Sequence, residues 1–522
     1  MRIGIDVGGT NTDAVLMDGR SVLASVKTPT TADVTGGIVE ALRSIIADAS
    51  VAGSDVQAVM IGTTHFTNAV VEAKRLVPTA AVRLGLPATT SLRPMVDWPD
   101  RLRTAIGDHA YFCHGGHEFD GRAISPLQPD ELRRVAADVA AKEIRSIAVC
   151  SVFSPVTAEF EEQAATIFAE ELDDVAISLS HKIGRVSLLE RENATIMNAC
   201  LRDLAERIVD AFYAALDKFE IMAPVYLSQN DGTLMSVEHA RRYPVATFAS
   251  GPTNSMRGAA FLSGVRDCAV VDIGGTTSDV GMLINGFPRE AAVVVDVGGV
   301  RTNFRMPDVL SVGLGGGSIV RESGDMTVGP DSVGFELTER ALVFGGDTLT
   351  ATDIAVAEGL AEIGDADRVA HLDRDLVDRA RTTIERTLVE TVDRMKTSAA
   401  DVAVIVVGGG SVLIHDSLEG AAELVRPDNH AIANAIGAAI AQVGGEMDRV
   451  VSMEGRSRDE ALDEAKNEAR DQAITAGASA STVEIVDVEE VPLAYLPSNA
   501  VRIRVKAVGD LVLERSPTGD AR

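Results

Sequence analysis

An internal repeat constrains this chain more than any other feature. The run IDVGGTNTD (Ile5 to Asp13) returns 266 residues later as VDIGGTTSD (Val271 to Asp279). Both copies follow a β-branched run and lead into a second apolar run, AVLMDG after the first and VGMLING after the second. Each copy therefore reads as strand, tight turn, strand. Two matched hairpins so far apart imply two similarly built halves, with a boundary near residues 245–270.

The segments between the hairpins alternate in period. Val56 to Glu72 reads as a strand entering a helix, with Thr63 or Thr64 as the cap and Asn68 one turn in. Residues 130–145 carry helical periodicity, Ser146 to Phe153 reads as a buried strand, and Pro155 starts a helix to about Leu172. Leu188 to Phe219 is a long helix, and Gly251 to Gly264 is a glycine-and-cap entry to another. Val402 to Val407 is an unbroken apolar run, which belongs in mid-sheet with both faces covered. It ends in Gly408, Gly409 and Gly410, and an Ala-rich helix follows at about 431–442.

The fold expected is α/β: two duplicated halves around a nucleotide cleft, with a small α+β module at the C-terminal end. The expected divisions are 1–245 with an inserted substrate-side region, 246–446, and 447–522. The last comprises a charged amphipathic helix, alternating strands to about residue 515, and a loose tail.

A DxGGTxxD hairpin has a definite chemistry. Paired glycines bare the backbone so that N–H groups can converge on one concavity. This makes Gly8, Gly9 and Thr10, with Gly274, Gly275 and Thr276, candidates to cradle phosphate from two sides. Asp6 and Asp272 stand at the strand ends, where carboxylates accept from the waters of a Mg²⁺ carried mainly by phosphate. The triple glycine Gly408–Gly410 lets a flat base or ribose lie against backbone. A structural β-turn with an uninvolved aspartate is the alternative for either hairpin alone.

Charge limits the partners. With 48 Lys+Arg against 77 Asp+Glu the net charge is −29, which repels phosphate backbones, so nucleic acid is not expected as a partner. No apolar run reaches membrane-spanning length, and MRIGIDVGG is a strand rather than a leader, so a cytoplasmic protein with no membrane partner is expected. The widely spaced Cys113, Cys150, Cys200 and Cys268 read as reduced, buried small hydrophobes.

Taken in order, DVGGTNTD, GTTHFTNA, GPTNSMRGAA, DIGGTTSD, GLGGGSIV, VGPDSVG and LTATDIAVAEG resemble the hydantoinase A / 5-oxoprolinase family, from residue 2 to about 445. The resemblance implies an actin-like, ribonuclease-H-like ATPase fold that opens a cyclic amide or imide such as hydantoin, N-methylhydantoin or 5-oxoproline. Related members are ATP-binding subunits of acetone or acetophenone carboxylases. It implies ATP and Mg²⁺ as cofactors, with Asp6 and Asp272 at the metal and Asp6, Asp13, Asp272 and Asp279 as catalytic carboxylates. It also carries Gly315, Gly316, Gly317 and Ser318 as a glycine signature and Thr352 and Asp353 as its TxTD pair. A second enzyme subunit and self-association are the expected protein partners. The run FELTERALVFGG replaces the family's usual loop after VGPxSAG, which bears on the substrate.

Other polar residues have bland readings beside functional ones. Thr63, Thr64, His65 and Asn68, with His114 and His117 in CHGGHEFDG, are the candidate substrate contacts. His65 is equally a satisfied cap, and the HxxH spacing of His114 and His117 suits either a metal or a polar lid. Glu190, Arg191, Asn193, Thr195 and Asn198 resemble a family helix segment or serve as caps and interface pairs. His430 touches the nucleotide region or caps the helix after it. The leading function is an ATP-dependent hydrolase subunit. The alternatives are a small-molecule kinase or ketone-carboxylase subunit, and a non-enzymatic ATP-gated interaction protein.

Overall fold

In the computed structural model, which describes residues 1–8, 11–29, 34–291, 295–303, 306–440, 442–493 and 499–513, the repeat becomes two sheets of matching register. β1 (Arg2–Val7) and β2 (Asn11–Asp18) pair antiparallel, with Asp6 opposite Asp13 and Val7 opposite Thr12. β3 (Ser21–Pro29) continues the meander and sets Lys27 opposite Asp13. β4 (Ala58–Thr63) lies parallel on the other side of β1, with Gly62 beside Asp6.

The chain then leaves this sheet. β5 (Thr79–Leu86), β6 (His109–His114), β7 (Ser146–Ser151) and β8 (Ala176–Leu179) form a separate parallel sheet in the order β6-β5-β7-β8. The helix expected to start at Pro155 begins at Glu159 instead. Phe153 is left-handed (φ 53°), and residues 154–158 are spent turning before the acidic first helical turn of Glu159, Glu161 and Glu162.

β9 (Val225–Ser228) returns the chain to the first sheet, parallel to β4, and β10 (Leu234–Ser236) folds back on it. In the second half, β11 (Cys268–Ile273) and β12 (Ser278–Ile284) pair with Asp272 opposite Asp279 and Ile273 opposite Ser278. The Val402–Val407 strand lies parallel beside β11 with Ala421–Val425 beyond it, so the apolar run is indeed central.

Two helices join the halves. Ser250–Ser263 and Ala433–Ala439 approach so closely that a Cβ on Gly258 would lie 1.9 Å from the Ala433 carbonyl oxygen, and one on Gly437 would lie 1.8 Å from that of Asn254. Ala435, Ile436 and Ala439 also pack on Val15 and Met17 of β2. Side chains from this helix pair are thereby carried to the ends of β1 and β2.

The C-terminal strands form no sheet of their own. Gln442–Val451 pairs with β10 and with Val501–Asp510, and Glu484–Pro492 completes a nine-stranded sheet built on the first half. Helix Arg458–Thr475 covers it, its Ala461, Ala465, Ala469 and Ala473 sharing one core with Val443, Met447, Val505 and Ala507 of the Gln442–Val451 and Val501–Asp510 strands. The Ala-rich helix expected to reach 442 stops at Ala439. The strand after it needs Gly445, where a Cβ would meet the Ala469 carbonyl oxygen at 2.2 Å. The expected tail, residues 516–522, lies outside the described residues. Among the described residues no helix is long and apolar enough to cross a membrane.

Candidate functional site

Both hairpin turns close with the same bond. Gly8 N donates to Asn11 O at 3.0 Å, and Gly274 N donates to Thr277 O at 2.9 Å. Gly9 and Thr10 lie outside the described residues. One cavity of about 370 Å³ is lined by Gly8, Asn11 and Asp13 from the first turn and by Asp272, Gly274, Gly275 and Thr276 from the second. Gly316, Thr352 and the triple glycine Gly408–Gly410 also border it. Side chains would close this space. A Cβ on Gly408 would lie 2.3 Å from Asp272 Oδ1, and one on Gly410 would lie 2.8 Å from Gly274 O, while Gly275 and Gly409 face open space.

The four repeat carboxylates stand in unlike surroundings. Asp6 is buried, and Asn254 Nδ2 and Asn434 Nδ2 donate to its two oxygens at 3.0 and 3.1 Å. The same Asn434 amide donates to Asp13 Oδ2 at 2.8 Å, and Lys27 Nζ lies 2.5 Å from Asp13 Oδ1. Burial raises the Asp6 carboxyl above its usual range against the pull of the Asn254 hydrogen bond. Asp272 borders the cavity, and burial, with lesser pushes from Asp279 and Asp6, drives its carboxyl up to about 7 despite a hydrogen bond from Ser255. Asp279, one strand over, accepts from the Ser311 hydroxyl and is likewise raised by burial. Asp6 and Asp279 therefore sit behind the wall that Asp13 and Asp272 face.

The glycine signature braces the second turn. Gly316 N and Gly317 N donate to Gly274 O and Gly275 O at 3.0 and 2.7 Å, and Ser318 Oγ accepts from Gly315 N at 2.8 Å. Gly315 has to be glycine, since a Cβ there would lie 2.6 Å from Thr276 N. Thr352 Oγ1 donates to Gly316 O at 2.9 Å. Asp353 closes a capping box with Thr350. The FELTERALVFGG segment also reaches this site, for Leu337 lines the cavity.

The expected substrate residues divide between two places. Thr64 holds the helix N-cap, but its hydroxyl donates to Val7 O at 3.3 Å, beside the first turn. His65 Nδ1 lies 2.6 Å from Thr63 Oγ1, and burial lowers its imidazole to about 4. Asn68 Nδ2 donates to Thr64 Oγ1 at 3.4 Å. His114 ends β6, His117 lies in the loop after it, and neither borders the cleft. His114 pairs with Glu131 (2.8 Å), and His117 is buried and stacked on Phe160 with ring centroids 4.3 Å apart.

The remaining polar candidates have structural partners. Arg191 donates to the carbonyls of Ser151, Arg185 and Ser187. Asn193 accepts from Trp98 Nε1, Asn198 donates to Arg242 O, and Glu190 accepts from Ser187. His430 presents its carbonyl to Gly408 N at 2.9 Å, which pins the triple glycine. Burial pushes all four cysteine thiols up to about 12, consistent with inert core residues.

The repeat alone did not reveal Lys27, Asn254, Asn434 and Ser255. The period-2 alternation of β3 could have placed Lys27 opposite Asp13, whereas Asn254 and Asn434 arrive on helices remote in sequence. The donor set suits a phosphorylated nucleotide, with glycine backbone bared on two sides and carboxylates at the ends. Among the described residues no three His, Cys, Asp or Glu side chains group as a metal cluster, so a divalent ion here would be held largely by phosphate oxygens.

The hydantoinase/oxoprolinase N-terminal region family model matches residues 2–172, and the hydantoinase/oxoprolinase model matches residues 191–404. The chain is 24% identical over 394 residues to the caprolactamase subunit alpha of Pseudomonas jessenii, covering 69% of this chain and 54% of that one. It is 25% identical over 394 residues to the acetophenone carboxylase gamma subunit of Aromatoleum aromaticum, covering 68% and 53%. The chain thus spans about half the length of these curated relatives. Among solved structures, the ATP-dependent caprolactamase of Pseudomonas jessenii superposes with TM-score 0.77 at 19% identity, over 100% of this chain and 89% of that one. Nucleotide-free acetone carboxylase superposes with TM-score 0.67 at 18% identity, over 100% and 89%.

Proposed function

The chain belongs to the hydantoinase/oxoprolinase family of actin-like ATPase folds, and from that premise we propose that it is the ATP-binding subunit of an enzyme that activates the carbonyl oxygen of a small organic substrate. One observation carries this reading: both glycine turns, with aspartates at the same register, line a single cavity. Bound Mg²⁺·ATP would supply the phosphoryl group.

The chain's own contribution is positioning and electrostatics. Gly275 and Thr276 line the cavity with Gly8 opposite, and the backbone N–H groups of Gly275 and Thr276 would hold phosphate oxygens. Asp272 and Asp13 would orient the cation through its waters, and Lys27 adds positive charge beside Asp13. The close-packed helices Ser250–Ser263 and Ala433–Ala439 exclude water behind the carboxylates. Phosphoryl transfer to a carbonyl-derived oxygen leaves ADP and either an imidate phosphate, whose carbon water attacks as phosphate departs, or an enol phosphate, which gives up phosphate to water as its own carbon attacks CO₂ derived from bicarbonate.

The carboxylase-type reading is preferred over the hydantoin or 5-oxoproline hydrolase. Acetone carboxylase recurs among both the curated relatives and the solved structures, and acetophenone carboxylase joins it among the curated relatives. Cyclic-amide opening is kept as the second reading because caprolactamase recurs in the same two comparisons. The deciding experiment measures phosphate release by the chain with its partner subunit in the presence of acetone or acetophenone, with and without bicarbonate, and in parallel with hydantoin, caprolactam or 5-oxoproline. Bicarbonate-dependent stimulation by a ketone supports the first reading. Stimulation by cyclic amides without bicarbonate replaces it with the second, and a phosphorylated product that persists identifies a kinase.

A further inference from the structure

A cavity of about 500 Å³ opens where three parts of the fold meet. None of its walls belongs to the glycine-turn cleft. It lies beyond the carboxyl ends of β7 and β8, parallel neighbours that stop at Ser151 and Leu179. The crevice outside the carboxyl ends of parallel strands is where open α/β sheets receive ligands. The loop after β9 and the Gln442–Val451 strand complete the wall, and a junction between structural units is itself a favoured place for a pocket.

The walls are built rather than incidental. Glu161, wholly buried, accepts from Ser151 N (2.7 Å), the Ser180 hydroxyl and His181 N (3.0 Å), and its Oε2 lies 2.7 Å from His181 Nδ1. Burial alone would raise this carboxyl, but its hydrogen bonds from His181 and Ser180 hold it below the usual range. The imidazole of His181 is thereby fixed against the cavity. Opposite it, the rings of His239 and Tyr243 lie 4.7 Å apart, tilted by 45°, and Val156, Ile183 and Val245 add apolar surface.

The lining carries Lys182, Arg185, Arg449 and Arg502 with Asp231, Glu446 and Asp448, in a chain whose net charge is −29. Arg502 pairs with Asp448, Arg449 with Glu468, and Lys182 lies 3.4 Å from the exposed Glu162. The other two carboxylates are engaged from behind the wall. Lys506 Nζ lies 2.9 Å from Asp231, and Arg504 Nε donates to Glu446 at 2.6 Å. Arg185 is grasped by one carboxylate oxygen only, Glu290 Oε2 at 2.9 Å, because the other oxygen of Glu290 serves Arg504. Arg185 Nε is buried with no hydrogen-bond partner among the described residues.

We propose that this junction cavity is a second ligand site that takes a small, flat organic carboxylate, its anionic end at Arg185 and Lys182 and its body against Tyr243 and His239. An arginine fork offers a carboxylate two parallel donors, which a neutral amide cannot match in charge. Occupancy would bridge the inserted sheet, the first half and the C-terminal strands.

The test is calorimetric titration of the full chain with benzoate and succinate against their neutral counterparts benzamide and succinamide. Mg²⁺·ATP is titrated in parallel as a separate measurement on the cleft. Benzoate is expected to bind at least about tenfold more tightly than benzamide. Arg185→Gln and Lys182→Gln should each weaken benzoate by about tenfold and leave Mg²⁺·ATP binding unchanged. Glu290 keeps Arg504 in the first variant, and Lys182 is exposed, so both variants retain the fold. Equal binding of acid and amide overturns the proposal, as does the absence of binding by either acid, or full affinity in both variants. Failure of the wild type to bind Mg²⁺·ATP would count against the cleft and not against this cavity, because the two share no lining residue.

Discussion

The two hairpin turns share a backbone and differ in electrostatics. In each, an aspartate ending one strand faces a second aspartate across an antiparallel pair, and the first glycine of the turn closes onto the residue three positions later. Each leading carboxylate also rests on a glycine from the neighbouring parallel strand or its end: a Cβ on Gly62 would lie 2.4 Å from Asp6 Oδ1, and one on Gly408 would lie 2.3 Å from Asp272 Oδ1. The partners then diverge. Asp6 is clamped by two amides and withdrawn from the cavity, whereas Asp272 faces it with Ser255 as its side-chain hydrogen-bond donor. The repeated scaffold presents two carboxylates, and their neighbours set them apart: Asp6 is held in the interior, and Asp272 faces the cavity.

The largest expected effect falls on Asp272. Asp272→Asn should lower Mg²⁺-dependent ATP turnover by about 10²-fold or more, because under the proposed function it removes the carboxylate that would orient the cation and the phosphoryl group. Asp18, at the far end of the first hairpin, is the control, and Asp18→Asn should leave turnover and nucleotide affinity alone. Near-normal turnover in Asp272→Asn would break the comparison and the cleft assignment together.

Asp6→Asn should cost less activity, about tenfold, but more stability. Asparagine has one acceptor oxygen where Asn254 and Asn434 each donate, so one donor is left facing another donor in a buried site, at about 1–3 kcal/mol. Thermal unfolding should therefore fall by a few degrees in Asp6→Asn and stay level or rise in Asp272→Asn at pH 8. The same sign in both variants would show that the two aspartates are equivalent after all.

This contrast explains what could be read in the sequence. The repeat disclosed the two hairpins, and the unbroken apolar run disclosed the Val402–Val407 strand, because those depend on local period and on glycine. Gly62, Gly408 and Gly445 stand where a carboxylate or a helix backbone leaves no room for a Cβ. A single sequence shows the glycine but not the neighbour that requires it. Asn434 lies 428 positions from Asp6, and nothing in HAIANAIG marks which asparagine faces a carboxylate. The C-terminal strands alternate as antiparallel strands should, yet alternation cannot say that they extend the first half's sheet through β10. The buried Glu161–His181 pair was invisible for the same reason, since the two meet only after β7 and β8 align.

A smaller effect is expected at Lys27, whose side chain is 41% exposed while it pairs with Asp13. Solvent screens such a charge, so Lys27→Gln should weaken Mg²⁺·ATP only about three- to tenfold. The change should appear in the KM for ATP with kcat held within about twofold, the signature of an interaction made equally in the ground and transition states. A loss confined to kcat would place Lys27 beside the transferred phosphoryl group and join the two turns more closely than drawn here.

The smallest effect is a pH dependence in the nucleotide-free protein. The Asp272 carboxyl is driven up to about 7 in the fold, first by burial and then by Asp279 and Asp6, from an ordinary value of 3.8. Below about pH 4 it is protonated in both folded and unfolded chains and contributes no difference. Between about pH 4 and 7 the folded chain retains a proton that the unfolded chain releases, so stability falls as pH rises, and above about pH 7 the loss is complete. Asp6 and Asp279 are raised in the same direction, so the wild-type profile alone does not isolate Asp272. The difference between wild type and Asp272→Asn does. The variant should match the wild type near pH 4.5 and exceed it by a few degrees in unfolding temperature by pH 8, with the gap opening across that interval. Mg²⁺·ATP should narrow the gap, because a nearby cation favours the ionised carboxylate and expels its proton, and calorimetry in two buffers of different ionisation heat would register that release. A gap of constant size from pH 4.5 to 8 would mean that Asp272 ionises as freely as an exposed aspartate, and that the two turns differ in hydrogen bonding but not in charge.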